Sequence, residues 1–484
     1  MRLSDEMNAA LRVAIVGGGI TGLSAAYYLE RDAAERGLPV RCVLLEAADR
    51  LGGKVQTERI GGFVLEQGPD SLLARKVQAQ QLCAAVGLGD QVVQSNPDAR
   101  GTWVLHRGQL ELLPESMVLV APTRLRPFLT TRLLSPLGKA RAACDLVLPA
   151  RTGDTDETLA GFVSRRFGRE VADRLAVPLL ASVYGGGCGD LSLLASFPEL
   201  RRLEQTHRSV LLGLRALDRQ RGTEQASRPF VTLRGGLHTL VDGLTSSFGS
   251  TEIRCHADVR RLALAQGHGA EPAYHLELAS GQTIGADAVI LATPADAASR
   301  ILERPAPRAA ASLAQISYLP ALVVTVAFSR AGLAHPLRGT GFVVPAEEHS
   351  RLIACTWVSR KWPHASEPAA ALLRCYLGGP SLAELLTRED PELVALACAE
   401  LKGVLGISTA PLLARVYRWP SGIPRYAVGH LERVRRAEQA LESLPGVVLA
   451  GAAYRGIGVP DCIRQGEEAA RAILTQARRP VPVA

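Results

Sequence analysis

Gly17, Gly19 and Gly22 stand in G-x-G-x-x-G spacing, after a short apolar run that starts at Val13 and before a helical pattern that runs past Tyr27. A strand, a tight turn and a helix start at this spacing can hold a dinucleotide pyrophosphate. The first glycine permits the turn, the second lets backbone N–H groups approach the phosphates, and the third lets the helix pack closely on the strand. Gly18, Ile20 and Thr21 complete the same turn and belong to the same contact. The anion rests on the helix N-terminus, where unpaired N–H groups and the dipole favour negative charge. A second apolar run, 40–45, ends in Glu46, followed by Ala47. A carboxylate there can accept hydrogen bonds from a ribose diol. The spacing exceeds the roughly 20 residues usual for the motif, and the excess is assigned to the helix end and loop over 31–39. Arg50, Gly52, Gly53 and Lys54 come next, and their backbone and the Lys54 ammonium would meet the phosphates from the other side. A plain β-turn also favours Gly-Gly, but here three features coincide in order.

The elements that must position these residues extend along the whole chain. Residues 286–294 read as a buried strand ending at a small-residue turn. Residues 447–452 read as another, leading through Tyr454-Arg-Gly-Ile-Gly-Val-Pro-Asp461 to a final helix from Cys462 to about Gln476. That places Ile457, Gly458 and Val459 at a second helix N-terminus, suited to negative charge on a reduced flavin. NAD enzymes do not need the second glycine pair. Glu46, Gly52-Gly53 and the C-terminal turn together make the expected dinucleotide FAD. The predicted fold is α/β: a two-dinucleotide-binding-domain, Rossmann-like FAD domain with an inserted α+β substrate domain and a helical subdomain. Predicted boundaries are 1–74, 230–297 and 440–484 for the FAD domain, and 75–84, 206–229 and 298–439 for the substrate domain. The helical part is set at 85–205, from helix spacing at 79–86, 137–148, 158–167 and 170–180. Strands are expected at 252–262 and 274–279, and a broad antiparallel sheet over 318–345 and 351–378. Polar loops at 153–157, 220–228 and 265–272 are expected to be flexible. No internal repeat is visible.

At 484 residues, two or three domains are expected. An apolar content of 47% with 21% charged residues is globular. The net charge of +8, mostly Arg, suits acidic small substrates or an anionic surface. No basic run reaches nucleic-acid-binding density and aromatics are only 5%, which argues against RNA or DNA. Nine scattered cysteines without a C-x-x-C pair fit buried thiols in a reducing compartment, with neither disulfides nor a metal cage. His207 and His430 lack partners at ligand spacing and read as structural. The first residues lack a signal-peptide core and no segment gives 18 uninterrupted apolar residues, so a soluble, cytoplasmic protein is expected, with peripheral membrane contact open through the helical region.

Several further blocks are specific enough to carry a resemblance: Leu65-Glu-Gln-Gly-Pro-Asp-Ser71, Ser196-Phe-Pro198 with Thr206-His-Arg-Ser209, and Phe328 through Gly341-Phe342. Arg418-Trp-Pro420 with Gly429-His430 and Gly456-Ile-Gly-Val-Pro-Asp-Cys-Ile463 complete the set. Along nearly its whole length the chain resembles the flavin-dependent porphyrinogen oxidases of haem synthesis. Cys355-Thr-Trp357 and Lys361-Trp-Pro-His-Ala365 resemble the coproporphyrinogen type of Gram-positive bacteria. Eukaryotic protoporphyrinogen enzymes usually carry an Arg, thought to hold a propionate, where this chain has Thr102. One departure is Tyr184-Gly185-Gly186-Gly187, where relatives often have Tyr-Ala-Gly-Asp, so no carboxylate role transfers to that loop.

The resemblance implies hydride transfer from a meso carbon to flavin, reoxidation by O₂ to H₂O₂, and three such cycles to the porphyrin. The flavin carries the hard step, so no catalytic nucleophile or base is named. Gly68, Pro69, Asp70 and Ser71 are expected under the flavin at the cavity mouth. Arg75 and Lys76 just beyond are the expected anchors for substrate carboxylates, with ordinary solvated charge as the plainer reading. Val183 suits a pocket wall. Arg201, Arg202, His207 and Arg208 form a second basic group for the same carboxylates, with helix-surface charge as the plainer reading. Trp419 would flank the isoalloxazine or serve as a core aromatic, and Val259 would meet adenine through its backbone. Expected partners are a porphyrinogen and O₂. A transient contact with a ferrochelatase or a membrane surface stays open, as does the choice between monomer and homodimer. Two competing readings remain: another flavin amine oxidase or desaturase, and a non-enzymatic carrier that has lost its flavin.

Overall fold

In the computed structural model, residues 10–476 are described apart from 115–116, 119–120, 123–127, 129, 185–187, 221–228 and 266–270. The run VAIV (13–16) and the run AVIL (288–291) are apolar throughout, as strands covered on both faces require. They form the centre of a five-stranded sheet with spatial order Glu252–Arg254, Val40–Leu45, Leu11–Val16, Ala288–Leu291, Val447–Leu449. Every neighbouring pair is parallel. On one face, helix Ile20–Glu35 packs against the last helix, Val459–Gln476. The approach is close enough that a Cβ on Gly466 would lie 2.5 Å from the Thr21 carbonyl oxygen. The other face is covered by helices Ala295–Leu302, Pro307–Leu313 and His430–Leu441 and by a small antiparallel sheet of Val259–Leu264, Tyr274–Leu278 and Thr283–Ala286.

A second, seven-stranded sheet has the order Leu413–Pro424, Tyr318–Ser329, Ala370–Leu377, Leu352–Trp357, Gly341–Val343, Trp103–His106, Gln109–Leu112. Its longest strands, Tyr318–Ser329 and Leu413–Pro424, pair antiparallel from Tyr318 opposite Pro424 to Ala327 opposite Leu413. Helix Asp390–Leu405 covers one face through Leu393, Ala397 and Leu401. The other face receives Leu65 beside Ala327, Trp362 and Leu372. The helical region between Pro136 and Gln220 has its own core around Phe162, Phe167, Leu175 and Leu200.

Several boundaries differ from the sequence expectation. Residues 92–94 and 103–112 are strands, not part of a helical unit, because their alternating side chains pair with Phe230–Leu233 and Gly341–Val343. Helix Val210–Gln220 belongs to the helical core. Helices within 295–313, and the helix that starts at His430, pack into the nucleotide-sheet core rather than the substrate domain. The 153–157 loop is tied down: the Asp156 carboxylate accepts from Ser192 Oγ at 2.6 Å, and Glu157 pairs with Arg151, Arg165 and Arg201. The loop expectations at 221–228 and 266–270, and the glycines 185–187, lie outside the described residues.

Arg201 is not surface charge. It is 4% exposed and pairs with Glu157 and Glu204, whereas Arg202, His207 and Arg208 are exposed as expected. Arg166 and Asp145, both fully buried, anchor the same cluster. Asp145 also accepts from Ser209 Oγ at 2.6 Å and Leu211 N at 2.9 Å, while Arg166 donates to the Arg208 carbonyl. The Thr206-His-Arg-Ser209 block is therefore a helix-joining corner. Deep burial of such charges requires this complete pairing.

Candidate cofactor and substrate site

The glycine turn leaves Leu11–Val16 and enters Ile20–Glu35 beside the end of Ala288–Leu291. Gly17 has φ +106°, and a Cβ there would stand 2.6 Å from the Ala292 carbonyl oxygen. Gly19, by contrast, has open space where a Cβ would project, as a backbone that receives a ligand needs. The helix starts without a side-chain cap and without an acidic residue in its first turn, so nothing on its own side chains competes for an anion. The second glycine pair lies against this turn: Gly52 N donates to Gly18 O at 2.8 Å, and Gly19 and Gly52 form a parallel bridge. Arg50, exposed, donates to Gly53 O at 3.2 Å.

Glu46 sits at the expected strand end. Its carboxylate accepts from Gly18 N at 2.6 Å and from Ala48 N at 2.9 Å, joining the ribose-side position to the glycine turn; Ala47 beside it is exposed. Ala257 N donates to Glu46 O, which brings the start of Val259–Leu264 alongside, with Val259 buried. These residues fit a dinucleotide: an uncapped helix end, an open glycine and a carboxylate at the end of the next strand. Lys54 departs from its expected role. Its ammonium donates to Gly422 O at 2.6 Å and lies over the Tyr318 ring, turned toward the seven-stranded sheet instead of the phosphate turn. Burial lowers its pKa to about 8.

The 68–71 turn is clamped from both sides. A Cβ on Gly68 would lie 1.9 Å from the Lys54 carbonyl oxygen, so only glycine fits there. Pro69 fixes φ next to it. Arg374, 3% exposed, donates to Glu66 O and Gly68 O, and Trp419 Nε1 donates to Gln67 O at 2.9 Å. Trp419 thus holds the turn's backbone from a half-buried position on Leu413–Pro424. Ser71 Oγ donates to Asp70 at 2.8 Å and receives a hydrogen bond from Lys361 Nζ at 2.6 Å, with Lys361 Nζ 3.9 Å from Asp70. Burial works against the Asp70 carboxylate, but Lys361 and Arg374 outweigh it and hold its pKa below the usual range. The same burial pushes Lys361 down, and raises Glu66 to about 7. A cavity of about 20 Å³ beside the turn is lined by Glu66, Asp70, Thr325, Trp362, His364 and Arg374.

The C-terminal turn arrives opposite. Tyr426 Oη receives a hydrogen bond from Gly456 N at 2.8 Å and donates to Ala452 O at 2.7 Å. The Tyr426 ring stacks on His430, 3.9 Å between centroids, and His430 Nε2 bonds Tyr454 O. This fixes Ile457, Gly458 and Val459 at the start of Val459–Gln476. Ile457 packs on the edge of the helical core together with Tyr184. Cys462 is buried behind them, its thiol beside Thr21 and pushed up to about 11 by burial.

Of the expected anchors, Lys76 is paired with Asp461 at 2.5 Å, whereas Arg75 is exposed and without an ion pair among the described residues. Val183 is 57% exposed at the end of the helix that carries Tyr184. Thr102 meets Thr340 across the seven-stranded sheet, 3.3 Å between hydroxyls. Asp461, Lys361, Arg374 and Tyr426 are absent from the sequence-based selection. The first two lie inside quoted blocks. Arg374 and Tyr426 carry no local signal, since their contacts span more than 300 residues and about 30 residues of chain.

The family described as flavin containing amine oxidoreductase matches residues 20–474. The chain belongs to that family. Within it, the chain falls in the porphyrinogen oxidase group. It is 38% identical to the coproporphyrinogen III oxidase of Bacillus subtilis (strain 168), over 96% of this chain and 98% of that one. It is 32% identical to the protoporphyrinogen oxidase of Bos taurus, over 96% and 98% of the two chains. A solved structure from Exiguobacterium sp. 255-15, assigned as a protoporphyrinogen oxidase, superposes with a TM-score of 0.83 at 33% identity, covering 96% of this chain and 98% of that one. No helix among the described residues is long and apolar enough to cross a membrane.

Proposed function

We propose that this protein oxidises coproporphyrinogen III to coproporphyrin III in haem synthesis, with FAD as cofactor, O₂ as acceptor and H₂O₂ as product. The observation that carries this reading is the near end-to-end likeness to the coproporphyrinogen III oxidase of Bacillus subtilis, at 38% identity. The site supports it. An uncapped helix end, Gly19 and Glu46 suit the pyrophosphate and ribose of a dinucleotide, and the start of Val459–Gln476 beside Gly458 suits its flavin end. A bound flavin would accept hydride from the substrate and pass electrons to oxygen.

The chain's own residues bind and orient. The 68–71 turn, held by Arg374, Lys361 and Trp419, gives a rigid floor. Ile457 and Tyr184 offer apolar surface where the helical core meets the C-terminal turn. Arg75 and Lys76 stand where substrate carboxylates are to be held, and a tetracarboxylate uses more cations than a dicarboxylate does. No side chain is assigned as a base, because the mechanism does not require a strong one. A transient contact with a ferrochelatase, which would consume the product, belongs to the same proposal.

Side-by-side turnover of coproporphyrinogen III and protoporphyrinogen IX, followed by porphyrin fluorescence and oxygen uptake, tests the reading. We expect a higher kcat/KM for coproporphyrinogen III. Equal or reversed ratios would transfer the assignment to protoporphyrinogen IX, and no porphyrin from a fully yellow protein would remove both. A colourless preparation would favour a carrier.

A further inference from the structure

We propose that Asp461 occupies the place of a substrate carboxylate on Lys76, and that a carboxylate of the incoming porphyrinogen displaces it as the substrate seats. The inference rests on the functional reading above and adds to it how the carboxylate site is kept and opened.

Lys76 Nζ reaches both oxygens of Asp461, at 2.7 and 2.5 Å. That two-oxygen grip on an ammonium is the contact a propionate would make. The two partners are not equally mobile. Lys76 ends a flexible four-carbon stem and its side chain is 35% exposed; the Asp461 side chain is 15% exposed. Asp461 is wedged against the turn before it, where a Cβ on Gly456 would stand 2.6 Å from its carboxyl carbon. It also lies in the first turn of the 18-residue helix Val459–Gln476, whose dipole stabilises a carboxylate there without help from Lys76. Lys76, the more exposed partner, can therefore be drawn from Asp461 when another carboxylate takes its place, against the moderate competition of a partly exposed pair. Exchanging one carboxylate for another leaves the ammonium paired throughout.

The neighbours fit such an exchange. Arg75 is exposed and carries no ion pair among the described residues, so a substrate finds one cation open and one closed by an internal carboxylate. Tyr184 lies within the electrostatic reach of Asp461, with Val183 exposed next to it, so the pair faces the same junction as the helical wall. An apolar ligand without carboxylates has nothing to offer Lys76 and leaves the bridge closed. Asp461 thereby acts on specificity rather than on chemistry.

The test is binding of coproporphyrin III to the flavin-loaded enzyme, read from the porphyrin absorption shift, alongside KM for coproporphyrinogen III. In the exchange view Asp461 competes with the ligand. Asp461→Asn should then tighten coproporphyrin III binding about tenfold, equivalent to about 1.4 kcal/mol, while the tetramethyl ester of the same porphyrin gains nothing. Lys76→Met should weaken binding, and by a larger factor in the Asp461→Asn background than in the wild type. Weaker binding by Asp461→Asn at full flavin content, or an equal gain for the ester, would overturn the proposal. If Asp461→Asn does not retain flavin, Asp461→Ser removes the charge while leaving a hydroxyl for the helix end, and the same criteria apply. A wild type that turns over coproporphyrinogen III without any gain in either variant counts against the exchange alone. A wild type that neither binds nor oxidises the porphyrinogen sinks the functional reading and the exchange with it.

Discussion

Lys361 shows how one buried charge can organise a turn of the site. Only 7% of its surface is exposed, yet its ammonium serves Ser71, stands near Asp70 and lies 4.3 Å from the Phe230 ring centroid. Lys361 lies in one of the blocks that carry the sequence resemblance. The structure shows the physical reason for a cation there: the Asp70 carboxylate points into a mostly buried site beside Lys361 and Arg374 and needs a positive partner. Removing that partner should be expensive, because the carboxylate stays behind. We expect Lys361→Met to lower stability by about 3 kcal/mol and to reduce flavin retention, measured by urea unfolding and by flavin absorbance of the purified protein. A loss below about 1 kcal/mol, the usual worth of an exposed pair, would show that Arg374 alone balances Asp70. Asp70, Ser71 and Lys361 thus act as the supports of the 68–71 turn.

At the scale of elements, the helix that begins at His430 sets the C-terminal turn in place. The carbonyl of Tyr454 can only accept, so His430 Nε2 carries a proton. The side chain is fully buried, and burial lowers its pKa to about 4, against the opposing hydrogen bond to Tyr454. An unfolded histidine titrates near 6.5. The folded value lies below the unfolded one, so the stabilisation is complete above about pH 6.5 and declines as pH falls toward 4, by about 1.4 kcal/mol per pH unit. His430→Phe, though less stable at neutral pH, should lack this part of the acid slope in urea titrations between pH 7 and 4.5. Equal slopes in the two proteins would place the acid sensitivity elsewhere. This element also marks what sequence can and cannot reveal. The strands 40–45 and 288–291, the first and last helices and the glycine turns follow from local pattern, because a buried parallel strand and an amphipathic helix write themselves into neighbouring residues. Apart from its hairpin partner Gln109–Leu112, Trp103–His106 joins strands that begin more than 200 residues later. Arg374 reaches Glu66 across 308 positions. Such partners leave no local trace, and the same applies to Lys54, whose ammonium bonds Gly422, and to Arg201, which reads as surface charge until Glu157 and Glu204 come into place.

Across the whole molecule, the segment from Gly52 to Ser71 is shared property. Its first part lies against the glycine turn of the nucleotide sheet, and its hairpin Thr57–Ile60 with Phe63–Glu66 leans on the seven-stranded sheet. Lys54 bonds Gly422, Glu58 pairs with Arg415 and accepts from Tyr417, Arg374 holds Glu66 and Gly68, and Trp419 holds Gln67. Side chains from Ala370–Leu377 and Leu413–Pro424 therefore depend for their partners on a segment threaded through the nucleotide-binding part. If either sheet opened alone, these part-buried donors and acceptors would lose their partners together, each at a cost on the order of 1 kcal/mol. The sum exceeds what a partly unfolded state could sustain, so the two sheets should unfold as one unit although they have separate hydrophobic cores. A ligand held by the glycine turn must then stabilise both. At a hundred times its dissociation constant it adds about 2.7 kcal/mol to the whole molecule. We expect scanning calorimetry to show one transition that includes both sheets and moves as a whole to higher temperature when FAD is added to flavin-stripped protein. Two transitions, with only one of them moving, would mean that the shared segment tethers the sheets without coupling them.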